Sequence, residues 1–233
     1  MKVLGIDTSA KTCSVALLQD GVVLSSRLLG EGLTHSQTLL PLIKKTLTES
    51  GCPVSKLDLI SITAGPGSFT GLRIGISTVK GLAFSDDIPC VGVSTLEAAA
   101  ENCVDYEGYV ACVLMDARRG EFYNALFRIE KGSPCRLTED RAISGEAIAD
   151  ELKSFEKIIL LGDGAEKFVS MFPEFQVAVS PESIRYQCGR GAAILGYKNY
   201  ESGLSTTAKQ LAPVYLRLPQ AEREWQAKNN NIK

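Results

Sequence analysis

Gly65-Pro66-Gly67-Ser68-Phe69-Thr70-Gly71-Leu72-Arg73-Ile74-Gly75 forms a glycine-rich junction in the chain. It separates an apolar run over 57–63 from a helical pattern that starts near Phe69 or Thr70 and reaches about Ser85. Glycines at this density mark a tight strand-to-helix turn. The free amides at a helix N-terminus favour anions, which makes Gly65, Gly67 and Ser68 candidate phosphate contacts. No Gly-Lys-Ser/Thr follows, so the stretch is not a Walker loop, and it does not match the dinucleotide fingerprint. The competing reading is a turn whose glycines serve only the backbone.

Upstream, the chain opens as three strands. The first covers 3–7 and ends in Asp7-Thr8-Ser9, the second covers 13–19 and the third 22–29. Asp20-Gly21 supplies a hairpin turn between the last two. Amides and hydroxyls in a turn such as Asp7-Thr8-Ser9 hold phosphate oxygens in some proteins, and an Asp there holds magnesium through water. The same residues also suit a plain Asx or Ser/Thr turn that closes a hairpin. A helix over 36–50 follows, with Gly51 just past its end and Pro53 beyond.

Downstream, a strand is expected over 90–93, and Ser94 with Glu97 has capping-box spacing for a third helix. A second block repeats the plan. Strands are expected over 109–115 and 121–129 around the turn Asp116-Ala117-Arg118-Arg119-Gly120, then a helix over 144–155 capped by Ser144. A strand over 157–161, the loop Gly162-Asp163-Gly164, a helix ending near Phe172 and a long helix over 184–200 complete it. This pattern predicts an α/β fold of two tandem lobes with mixed sheets. The first lobe is 1–104 and the second 105–219, with a final segment able to pack back on the first lobe; a mobile tail is expected over 220–233.

The chain has 233 residues, 45% hydrophobic and 22% charged, with a formal net charge of −2. That composition buries a core, and it does not suit a protein that grips nucleic acid unaided. Seven cysteines stand mostly in apolar runs, with no C-x-x-C pair, and read as reduced core thiols rather than a disulfide framework or metal site. Neither a signal peptide nor a membrane span is evident, so a cytoplasmic location is expected.

Together, Asp7-Thr8-Ser9 and the stretch from Gly65 to Gly75 resemble the TsaB (YeaZ) family, within the actin-like/Hsp70-like ATPase (ribonuclease H-like) fold. Gly92-Val93-Ser94-Thr95-Leu96, Asp116-Ala117-Arg118-Arg119-Gly120-Glu121 and Pro213-Val214-Tyr215-Leu216-Arg217 extend the resemblance over about residues 1–217. It implies a non-catalytic scaffold that supports the TsaD transferase and, with it, the ATPase TsaE. The complex places threonylcarbamoyladenosine beside the anticodon in tRNAs reading codons that begin with A. The single histidine, His35, cannot form the His-x-x-x-His pair with which the catalytic relative holds its metal; neither a metal nor a catalytic residue is assigned. No cofactor is certain; weak or partner-dependent ATP or ADP binding with magnesium would fall to Asp7, Thr8, Ser9, Gly65, Gly67 and Ser68. The alternative is an ATP-dependent small-molecule kinase or ATPase of the same fold.

The helices address partners. In the first, Leu39, Leu40, Leu42, Ile43 and Leu47 spread over roughly 160° at 100° per residue. In the second, Leu72, Ile74, Ile76, Val79, Leu82, Ala83 and Phe84 lie nearly all round, and a helix apolar on every side needs cover on every side. Gly71 and Gly75 would let another helix approach. The family resemblance implies a bundle with the matching helices of TsaD, or a homodimer when the chain is alone, with Leu39, Leu42, Ile43, Gly71, Leu72, Gly75, Ile76 and Val79 at the interface. Burial inside the monomer is the competing reading. On the interface reading, Gly75→Arg breaks the assembly and spares the fold. tRNA is reached through the complex only, and no membrane is involved.

Overall fold

The computed structural model describes residues 1–30, 34–175 and 177–217. β1 (Lys2–Asp7), β2 (Cys13–Gln19) and β3 (Val22–Leu29) form an antiparallel meander. Its second turn has the left-handed pair that Asp-Gly favours, Asp20 at φ 50° and Gly21 at φ 79°. α1 (His35–Glu49) leads to β4 (Leu59–Gly65), which joins β1 in parallel; α2 (Phe69–Ala83) leads to β5 (Cys90–Ser94), parallel to β4. The sheet order is β3-β2-β1-β4-β5.

α3 (Thr95–Ala100) is capped as its spacing predicts, with the Glu97 amide donating to Ser94 Oγ. β6 (Val110–Asp116) and β7 (Glu121–Glu130) then form the second hairpin, extended by β8 (Ser133–Arg136) and β9 (Arg141–Ser144). α4 (Gly145–Leu152), capped by Ser144, precedes β10 (Ile158–Leu161), which lies parallel to β6. α5 (Ala165–Met171), β11 (Ala178–Val179), α6 (Glu182–Arg185) and α7 (Gly189–Glu201) follow. The second sheet runs β11-β10-β6-β7-β8, with β9 on β7.

Alternation along β1 assigns the layers of the first sheet. Leu4 and Ile6 face α1 and α2 with Leu39, Ile43, Ile76 and Val79. Val3 faces the other way, with Ala98 of α3 and Ala192 and Ala193 of α7. On the second sheet, Phe122 packs with Ile148, Leu152 and Phe168 of α4 and α5. Val113 and Phe127 pack against Leu96, Ala99 and Cys103 on its opposite face. α3 therefore lies between the two sheets, and Ala98, Ala99 and Ala100 are wholly buried.

Several expectations change. β8, β9 and β11 are strands that no local sequence signal marks. The helix expected over 144–155 closes at Leu152, and the one over 184–200 is two pieces. Asn102 Nδ2 donates to the carbonyls of Ile184 at 3.2 Å and Tyr186 at 3.0 Å, drawing both out of a helical ladder. α7 then returns to the first sheet, where Ser61 Oγ donates to the Ala192 carbonyl at 2.7 Å, so residues 105–219 do not follow one sheet. Residues 211–217 lie against the first lobe: Leu211 enters its core, and the Val214 amide donates to the Ala64 carbonyl at 2.7 Å. The tail expected over 220–233 lies outside the described residues.

Candidate functional site: an interlobe cleft above a closed turn

The two motifs meet. β1 delivers Asp7-Thr8-Ser9 beside the end of β4, and the Ser68 amide donates to the Ser9 carbonyl at 2.6 Å. Thr8 Oγ1 donates to the Gly71 carbonyl at 2.8 Å. Ser68 caps α2, its Oγ receiving the Gly71 amide at 3.3 Å, and its carbonyl receives the Leu72 amide. Asp7 is fully buried and accepts from the Ser9 amide at 3.2 Å and the Ser9 hydroxyl at 3.0 Å. Burial pushes its carboxyl above the usual carboxylate range, against the opposing effect of its hydrogen bonds. The Ser68 amide and the side chains of Asp7, Thr8 and Ser9 are thus bonded within the turn, and the Gly71 and Leu72 amides go to Ser68.

Above this turn lies a cleft of about 630 Å³. Ser9, Gly67 and Ser68 line it, whereas Asp7, Thr8 and Gly65 are buried and are not part of its lining. The second lobe contributes Asp116, Ala117, Arg118, Tyr123 and Asp163, and the returning chain contributes Tyr215 and Arg217. Tyr215 stacks on Phe69 at 4.4 Å between centroids, and Arg73 lies 3.8 Å over the Phe69 ring while its Nε donates to Tyr215 Oη. Arg217 pairs with Glu121 and donates to the Ala117 carbonyl, tying residues 211–217 to both lobes. Most of these cleft residues stand in motifs visible in the sequence; what the sequence does not show is that they share one cavity.

The acids of the cleft differ. One oxygen of Asp163, Oδ1, has no protein partner among the described residues. Burial, with the Asp116 charge adding to it, pushes the Asp163 carboxyl up to about 6. Burial also acts on Asp116, but Lys167 Nζ at 2.6 Å, the Arg118 amide at 2.8 Å and the Arg118 charge hold it below its usual value. The turn that follows has three successive left-handed residues, Arg118 (φ 66°), Arg119 (φ 57°) and Gly120 (φ 77°). For a non-glycine residue that conformation costs on the order of 1 kcal/mol.

The expected partner-facing residues are inside the monomer. Leu39, Leu42, Ile43, Leu72, Gly71, Gly75, Ile76 and Val79 are all buried against the first lobe's own sheet and turn. A Cβ on Gly75 would overlap the Thr8 hydroxyl, and one on Gly71 the Thr8 carbonyl. These glycines admit the hairpin of their own lobe, so Gly75→Arg does not isolate an interface. Nor is α2 covered all round: Arg73, Ser77 and Gly81 are exposed, and Phe84 just beyond the helix is 85% exposed. On α1 the outward apolar residue is Leu40, 53% exposed. A groove of about 380 Å³ between the helices is lined by Leu40, Ile43, Leu47, Val54 and Leu82. A Cβ on Gly81 would meet open space.

His35, the single histidine, opens α1, and its Nε2 lies 2.8 Å from the Ala10 carbonyl, to which it can only donate. It braces the turn after β1. Five cysteines are buried, and burial lifts the Cys90 thiol to about 11 and those of Cys103 and Cys112 to about 12; Cys135 is exposed and Cys188 half-buried, outside the core expected for them. Among the described residues no helix is long and apolar enough to cross a membrane, and no group of three or more His, Cys, Asp or Glu could hold a metal.

A family model described as "TsaD: tRNA N6-adenosine threonylcarbamoyltransferase" matches residues 32–225. The tRNA threonylcarbamoyladenosine biosynthesis protein TsaB of Escherichia coli (strain K12) is 29% identical over 220 residues, 93% of this chain and 95% of that one. YeaZ from Pseudomonas aeruginosa superposes with a TM-score of 0.79 at 29% identity, covering 92% of this chain and 99% of that one. Component A of the (R)-2-hydroxyglutaryl-CoA dehydratase of Acidaminococcus fermentans, at a TM-score of 0.50, 12% identity, and 86% and 99% coverage, shares the fold alone. The two-lobed actin-like ATPase fold expected from the sequence is the fold observed.

Proposed function

The chain belongs to the TsaB (YeaZ) family, and from that premise we propose that it serves threonylcarbamoyladenosine biosynthesis in tRNA as a non-catalytic subunit, by supporting a TsaD-type transferase. The observation that carries the non-catalytic reading is the closed turn: Thr8 and Ser9 hold Gly71 and Ser68 by hydrogen bonds, and Asp7 is sealed beneath them. A phosphate cradle built on the Ser68 and Gly71 amides would need them free, and a kinase reading needs Asp7 open to magnesium. ATP or ADP binding with magnesium, where it occurs, is then weak or completed by the partner. The single histidine spends its Nε2 on the Ala10 carbonyl, a bracing role that favours the same reading.

The docking face is the outward side of α1 and α2, with Leu40, Ser77, Gly81 and Phe84 in place of the buried set that the family resemblance implied. Burying an apolar anchor of that size contributes about 1.5–3 kcal/mol. The same face makes a homodimer when the chain is alone. TsaE joins the pair, and tRNA is reached through the assembly. The test is co-elution of this chain with the TsaD protein of the same organism, with Gly81→Arg as the interface variant. A complex that Gly81→Arg abolishes supports the reading; a kinase would instead show tight, magnesium-dependent ATP binding by the chain alone.

A further inference from the structure

We infer that the Arg118-Arg119 turn contacts the phosphodiester backbone of the RNA on which the assembly acts, so that this chain carries part of the RNA-binding surface; the inference rests on the tRNA-modification reading above. Both arginines are exposed at the tip of the β6–β7 hairpin, and both hold left-handed backbone angles. At such adjacent positions Asn-Gly relieves the backbone and Arg-Arg does not, so the hairpin gains nothing conformational from these residues. Neither has an ion-pair partner among the described residues. The carboxylates beside them are already matched: Asp116 by Lys167, and Glu121 by Arg217. Deeper in the cleft, Asp163 feels the Lys11 charge. The Arg118 guanidinium acts on Asp116 only through space and neither guanidinium closes an ion pair among the described residues, so the turn carries excess positive charge on a chain whose net charge is −2, which suits a local anion contact.

The opposite wall of the cleft favours RNA over an acidic peptide. The Phe69–Tyr215 pair lines it, with Tyr215 part-exposed, and aromatic rings beside cationic groups are what unstacked bases rest on. A free nucleotide offers the same phosphate chemistry, so the experiment separates the two sources. Labelled tRNA is titrated with the complex of this chain and its TsaD partner at several salt concentrations, for the parent and for the double variant Arg118→Asn/Arg119→Gly. That variant suits the turn, and its melting temperature and complex formation are checked first. The expected result is weaker tRNA binding by about tenfold or more and a salt slope smaller by about one to two, with ATP at saturation leaving the difference in place. An unchanged affinity and slope overturn the inference. So does a defect confined to ATP binding, or one confined to complex formation, which would point to acidic groups on the protein partner. If the parent chain forms no complex, the tRNA-modification reading fails and takes this inference with it; a complex with an unchanged slope overturns this inference alone.

Discussion

The Thr8 hydroxyl occupies the space that a Cβ on Gly75 would need, while it donates to the Gly71 carbonyl one helical turn earlier. One threonine at the end of β1 thus fixes the approach of α2 to the sheet, and both glycines serve that contact.

Gly75→Ala therefore overpacks the first lobe. The Ile62 side chain also crowds the new methyl group, and the expected loss of stability is about 2 kcal/mol. Gly81→Ala, which enters open space on the same helix, is expected to leave stability unchanged or raise it by up to about 1 kcal/mol. Denaturant melts of the two variants check the contrast. Equal stabilities would mean that the turn does not depend on this contact.

His35 is expected to act structurally. His35→Ala removes the bond to the Ala10 carbonyl and costs about 1 kcal/mol. His35→Gln, able to donate to the same carbonyl, is expected to keep full activity in a reconstituted tRNA-modification reaction. Lost turnover, with melting and complex formation intact, would give His35 a chemical role and contradict the non-catalytic account.

Asp163 makes stability depend on pH. Its carboxyl is raised from the ordinary 3.8 to about 6, chiefly by burial. Between those values the folded state holds more protons than the unfolded state, so this group's contribution to stability falls as pH rises through that window and is level above it. Asp163→Asn removes the penalty. The variant is expected to gain on the parent between about pH 4 and pH 6, reaching on the order of 2 kcal/mol near neutral pH. Thermal melts over pH 4–8 measure the difference, and a constant difference across the range would refute the assignment.

Much of the fold is legible in the sequence because its signals are local. Asp20-Gly21 and the alternation around it place β2 and β3 to the residue, and Ser94 with Glu97 places the start of α3. β8 and β9 are four residues each and only half-buried, too short for a periodic signal. The break at 186–188 depends on Asn102, more than eighty residues away, which no local pattern reports. The site follows the same division. The motifs in 7–9 and 65–75 are visible, but periodicity shows only which residues of α2 are apolar and not what covers them. Leu72, Ile76 and Val79 turn out to belong to the first lobe's own core, and the free face of the helix is marked by Ser77, Gly81 and Phe84.

The species formed when this chain is mixed with the TsaD protein of the same organism is weighed by size-exclusion chromatography with light scattering. A one-to-one complex is expected for the parent protein and its loss in Gly81→Arg, with the variant's melting temperature unchanged. No complex at micromolar concentration, with or without ATP and magnesium, or a complex untouched by Gly81→Arg, would contradict the proposed role.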